Sequence, residues 1–251
     1  MKTMLKSGCA LLIAISVSFA AEAQGIKGIL DGAKKVVGTT KTIGTGKGTL
    51  TDADITAGLK EALNVGTRNA TGQVSKVNGF FADQAIKVLM PPEAKKIETA
   101  LRAVGMGQQV DRAILSMNRA AEDASAKAVP IFVDAITSMS IQDGLSILKG
   151  NNDAATQYLK GRTTPQLTSA FRPVIQSSLN KVNATAYWSE MVTLYNKLPT
   201  TRQKLNPDLT AWVTERALNG IFVYVAQEEG KIRTNPAARV SDILRKVFGQ
   251  G

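Results

Sequence analysis

From residue 51 onward, capping residues and apolar stripes of helical period recur along the chain, and no convincing stretch alternates apolar with polar side chains. Such a sequence can build helices and has little with which to build a sheet. Thr51 or Asp52 can cap a helix to about Asn69 that presents Ile55, Leu59, Ala62 and Leu63 on one stripe. Ala85 to Met90 is a short segment ended by Pro91-Pro92 and reads as extended. A helix from Pro92 to Val104 shows Ala94, Ile97, Leu101 and Val104, and Gly105-Met106-Gly107 closes it. Val110, Ile114, Met117, Ala121, Ala124 and Ala128 then alternate spacings of four and three, a narrow stripe whose small members admit a close neighbour.

Pro130 interrupts or restarts that helix, and Ser140-Ile141-Gln142-Asp143 has the form of a capping box with Asp in place of Glu. Three shorter helices are expected between residues 153 and 182. Asn152 or Asp153 caps the first, Thr164-Pro165 caps the second, and Pro173 kinks or splits the chain before the third. Helices over 184–198 and 209–233 follow, and Ser241 starts a last one through Phe248. The expected fold is all-α, a single multi-helix domain of roughly ten helices over residues 51–251, with no significant sheet and no internal repeat. Nine of the aromatic side chains follow residue 150, so the bulkier part of the core should lie in the carboxyl-terminal helices.

Residues 1–23 read as an export signal. Lys2 and Lys6 form a basic start, Ala10 to Phe19 an apolar run too short to span a bilayer, and Ala21-Glu22-Ala23 a small-x-small cleavage site before Gln24. Cys9 precedes most of the apolar run, so it should leave with the signal rather than carry a lipid. The expected location is therefore the periplasm or the exterior, as a soluble protein of the cell envelope. Cleavage leaves 228 residues without cysteine or histidine, long enough to bury about 70% of the unfolded chain's surface. Burial alone must stabilise them, and the commonest metal ligands, the usual general base and the sulfur nucleophile are missing. No metal site and no cofactor are expected.

Residues 24–50 read as a flexible basic arm with a short amphipathic helix through Ile26, Ile29, Leu30, Ala33, Val36 and Val37. Within the arm, Gly44-Thr45-Gly46-Lys47-Gly48-Thr49 resembles a phosphate-cradling loop but lacks its leading Gly, its Ser/Thr and its preceding strand, and reads as linker. The formal charge of +11 is unevenly placed. Residues 24–49 hold five Lys against Asp31, residues 231–251 hold five basic side chains against Asp242, and residues 149–204 hold eight against two acidic ones. That field attracts anions such as lipid head groups or acidic polysaccharide, while nucleic acid is the weaker candidate because no recognition motif accompanies the charge.

Few residues suggest chemistry. Asp111, Asn118 and Glu122 lie along one side of a helix beside its apolar stripe, with Arg112 and Arg119 nearby. They form either a polar ligand site or a buried network that fixes helix register. Eleven residues separate the two carboxylates by about 16 Å along the axis, too far for a joint acid and base. Glu228, Glu229 and Arg233 form a second candidate, in which Glu229 and Arg233 also suit an exposed i, i+4 pair. Tyr187, Trp188 and Tyr195, near Lys181 and Lys197, suit stacking on a sugar or base, or plain core packing. No Gly-x-Ser-x-Gly elbow occurs.

Four blocks add a resemblance: 118–122 (Asn-Arg-Ala-Ala-Glu), 139–144 (Met-Ser-Ile-Gln-Asp-Gly), 153–158 (Asp-Ala-Ala-Thr-Gln-Tyr) and 228–236 (Glu-Glu-Gly-Lys-Ile-Arg-Thr-Asn-Pro). In this order they resemble an exported bacterial family known as domain of unknown function 4197, over about residues 50 to 249. The resemblance implies an envelope location and a helical fold, and carries no activity or site residues with it. The functional expectation is a non-enzymatic envelope protein that binds a partner or anionic ligand, the alternative being a carboxylate-based, metal-assisted hydrolase acting on an envelope component. The hydrolase requires carboxylates from different helices to converge, which separate salt bridges for Glu122, Asp143 and Glu228 would oppose.

Overall fold

The computed structural model of the protein describes residues 51–197 and 204–234. Thr51 opens the first helix, α1 (Asp52–Val74), with a complete capping box: its hydroxyl accepts from the Asp54 amide at 3.2 Å, and the Asp54 carboxylate accepts from the Thr51 amide at 3.1 Å. After a non-helical strap over 75–91 and a 3-10 turn, Pro92–Ala94, come α2 (Lys95–Ala103), α3 (Gly107–Ser125), α4 (Ala128–Thr137), α5 (Ile141–Lys149), α6 (Ala154–Asn180), α7 (Ala184–Lys197) and α8 (Leu209–Thr234). No strand occurs among the described residues. The all-α expectation holds, with eight α-helices described instead of roughly ten. The arm helix and the segment beginning at Ser241 lie outside the described residues, as do the export signal and the phosphate-loop lookalike.

The main correction falls on residues 153–182, where the three expected helices are one. α6 runs unbroken through Pro165 and Pro173. Its buried side chains explain the continuity: Ala155, Leu159, Thr163, Leu167, Phe171, Ile175 and Leu179 recur every four residues and pack chiefly on α3 and α8. Each large member contributes about 1.5–3 kcal/mol on burial, enough together to override a proline cost of about 3 kcal/mol at each ring. Thr164, expected as a cap, donates its hydroxyl to the Lys160 carbonyl in mid-helix at 2.6 Å. At the other proline the expected restart is found, since α4 begins at Ala128 and Pro130 sits in its first turn.

α1 meets α8 through small residues. Buried Gly58, Ala62, Gly66 and Ala70 recur every four positions, and a Cβ added to Gly66 would stand 3.3 Å from the Glu228 Cβ. Asn69 meets Glu228 and Gly66 meets Ile232, so the two helices run antiparallel. Phe80 from the strap is fully buried against α8, where a Cβ on Gly220 would come within 2.4 Å of its ring. The aromatic core draws on both halves of the chain: Phe80 and Phe132 are fully buried alongside Phe171, and Phe132 meets Phe222 edge to face at 5.9 Å, so the expected weighting toward the later helices is not what fills the centre.

Candidate functional site

The polar residues singled out in α3 hold the strap. Asn118 is fully buried; its Oδ1 accepts from the Val88 amide at 2.8 Å, and its Nδ2 donates to the Val88 carbonyl at 2.8 Å and to the Ile114 carbonyl at 2.7 Å. One turn on, Glu122 Oε1 accepts from the Phe80 and Phe81 amides at 3.1 and 3.2 Å. Its Oε2 accepts from Arg119 at 2.6 Å, and Arg119 donates a second bond to Asn78 Oδ1 at 2.8 Å, where the backbone turns through a φ of +69°. The strap satisfies part of its backbone with its own turns, and these side chains supply partners for the Phe80, Phe81 and Val88 amides. Asp111 does not join them. It is exposed and pairs with Arg102 at 2.7 Å.

Glu229 performs the corresponding task for α6. Asp153 occupies the position before that helix, yet its side chain makes no capping bond. The buried Glu229 carboxylate accepts from the Ala155 and Thr156 amides at 3.0 and 2.8 Å and from the Thr156 hydroxyl at 2.8 Å, so the cap comes from another helix. Arg233 donates to the same carboxylate at 2.8 and 3.0 Å and to the Ile147 carbonyl of α5 at 3.1 Å. The exposed i, i+4 pair expected from spacing is thus a buried tie joining α5, α6 and α8, with Glu229 5% exposed.

Glu228 points the other way. It borders an open groove of about 740 Å³ between α1 and α8, lined from α1 by Val65, Arg68, Asn69, Gly72 and Gln73, from the start of the strap by Lys76, and from α8 by Tyr224, Glu228, Lys231 and Ile232. Glu228 accepts from Asn69 at 3.0 Å and from Lys231 at 2.6 Å. Lys76 donates to Gln73 at 3.3 Å, while Arg68, exposed, has no hydrogen-bond or ion-pair partner among the described residues. Three cations therefore face one carboxylate. Tyr224 donates its hydroxyl to Asp83 at 2.5 Å, which fixes its ring at one end of the groove. That bond pushes the Tyr224 hydroxyl up to about 12 and holds Asp83 below its ordinary value.

Of the sequence-predicted residues, only Glu228 lines this groove. Asn118, Arg119 and Glu122 form one junction, Glu229 and Arg233 another, and Asp111 stands apart with its own partner. Trp188 is buried and donates to the Asn206 carbonyl at 3.2 Å, Tyr195 packs on the core, and Tyr187 is exposed, so the three make no common stacking face. The groove takes its cations from α1, the start of the strap and α8, and none from residues 149–204, where Arg172 pairs with Asp208 at 2.5 Å and Arg162 lies over the Tyr158 ring. Arg68, Asn69, Gln73 and Lys76 were missed. The available signal was the polar positions 68, 69, 73 and 76, beside the small-residue stripe of α1.

Among the described residues, no group of three or more acidic, histidine or cysteine side chains is placed to hold a metal ion. No single described helix is long and apolar enough to cross a membrane. Fold and site define an all-helical domain whose buried carboxylates hold backbone and whose open groove is basic. The chain belongs to the family described as protein of unknown function DUF4197, which it matches over residues 49–249. No curated protein and no solved structure matches it.

Proposed function

We propose that this is an exported, non-enzymatic binding protein of the bacterial cell envelope, and that the groove between α1 and α8 holds an anionic ligand. The supporting observation is Arg68, an exposed guanidinium without a partner among the described residues, in a groove where Lys76 and Lys231 add charge and Glu228 alone opposes it. An unpaired guanidinium beside amide side chains suits recognition of carboxylate or phosphate. The basic start, apolar run and small-x-small site of residues 1–23 support export.

The hydrolase reading finds less support. It needs carboxylates that converge and remain available, whereas Glu122 pairs with Arg119, Glu228 with Lys231, and Asp143, without a salt bridge of its own among the described residues, is held in the Ser140 capping box at 2.8–3.1 Å. Calorimetric titration with anionic probes at low and physiological salt tests the proposal. Binding that weakens with salt and falls about tenfold in an Arg68→Gln/Lys76→Gln double variant is expected, a loss of about 1.4 kcal/mol. Equal binding by the variant would remove the groove from the account.

A further inference from the structure

The kind of anion is written in the spacing and company of the groove's cations. Arg68 stands six residues, about 9 Å along the axis, before the end of α1, and Lys76 follows in the strap, with Lys231 on the opposite wall. Lys76 is held by Gln73 and Lys231 by Glu228, so the cations are tied to separate partners rather than gathered around one point. A matching ligand is extended and carries its negative groups at intervals.

Neutral hydrogen-bonding groups lie between those charges. Asn69 and Gln73 present amides, and Glu228, whose side chain is 14% exposed, presents a carboxylate that accepts hydrogen bonds and repels anions. A chain of charged groups without hydroxyls, such as polyphosphate, would meet that carboxylate unfavourably; one with hydroxyls between its charges would donate to it. The aliphatic lining consists of Val65 and Ile232, and Ile232 is only 7% exposed, so an acyl chain finds little cover. Gly72 lies between the cations, with no atom within 4 Å of where its Cβ would be, and this keeps the space open. Tyr224, held by Asp83, presents a fixed aromatic ring at the Lys76 end.

Resting on the anion-binding reading, we infer that the ligand is an acidic oligosaccharide, whose carboxylates meet Arg68, Lys76 and Lys231 and whose hydroxyls meet Asn69, Gln73 and Glu228. The test compares three probes on the protein as exported: an oligogalacturonate, inorganic polyphosphate, and vesicles of anionic phospholipid. Oligogalacturonate binding is expected to fall about tenfold in Arg68→Gln/Lys76→Gln and in Gly72→Leu, the latter filling open space without displacing a neighbour. Glu228→Gln should weaken oligogalacturonate and strengthen polyphosphate, because it exchanges a charged acceptor for a weaker neutral one and removes a repelling charge. Polyphosphate or vesicle binding that depends on Arg68 and Lys76, without oligogalacturonate binding, would overturn the sugar assignment and leave the anion site standing. Binding of no probe through these residues would overturn both.

Discussion

Glu229 shows how much of this molecule rests on single buried carboxylates. It gathers two backbone amides, a hydroxyl and a guanidinium at a place where solvent cannot replace them. Glu229→Ala would leave the Arg233 charge, 15% exposed, without its partner and the start of α6 uncapped, so a loss of about 3–5 kcal/mol is expected in urea unfolding. Asp83 and Tyr224 supply a pH prediction. Asp83 titrates below its ordinary value in the folded state, chiefly through the Tyr224 hydroxyl, so its contribution is present above pH 3.8 and lost as pH falls through the lower folded value. Tyr224 is raised, so its contribution is complete below its ordinary value of 10 and is lost as pH rises through about 12. Tyr224→Phe should flatten both arms of a stability profile against pH. Unchanged arms would show that the bond contributes nothing to folding. Asn118, Glu122, Glu229 and Arg233 were legible as polar residues beside apolar stripes, but their duties were not. The partners lie far off in sequence, Val88 thirty residues before Asn118 and Ala155 seventy-four before Glu229.

Among the elements, those with local instructions were the readable ones. The capping boxes at Thr51 and Ser140 form as their spacing requires, and Thr51→Ala should cost about 1 kcal/mol in thermal or urea unfolding. α6 was misread because two prolines are local signals for a break, while the four-residue repeat from Ala155 to Leu179 gains its energy only from helices distant in the chain. Gly161 lies within that helix, with open space where its Cβ would be. Gly161→Ala should therefore stabilise the domain by about 0.5–1 kcal/mol, whereas Gly220→Ala, driven against Phe80, should destabilise it by about 1–3 kcal/mol. Opposite signs from the same substitution on two helices would show that packing, not helix propensity, decides these positions.

For the molecule as a whole, α1 and α8 create the groove only by lying antiparallel with 134 residues of chain between them, as the Asn69–Glu228 bond marks. Neither polar stripe points to a site alone, which is why the all-α fold could be read and the groove could not. The central claim is that the ligand contacts these two helices and not the basic stretch over 149–204. Backbone amide shifts followed during titration with oligogalacturonate test it most directly. The account predicts perturbations concentrated at residues 65–76 and 224–232. Perturbations confined to residues 149–197, with the α1 and α8 amides unmoved, would contradict it.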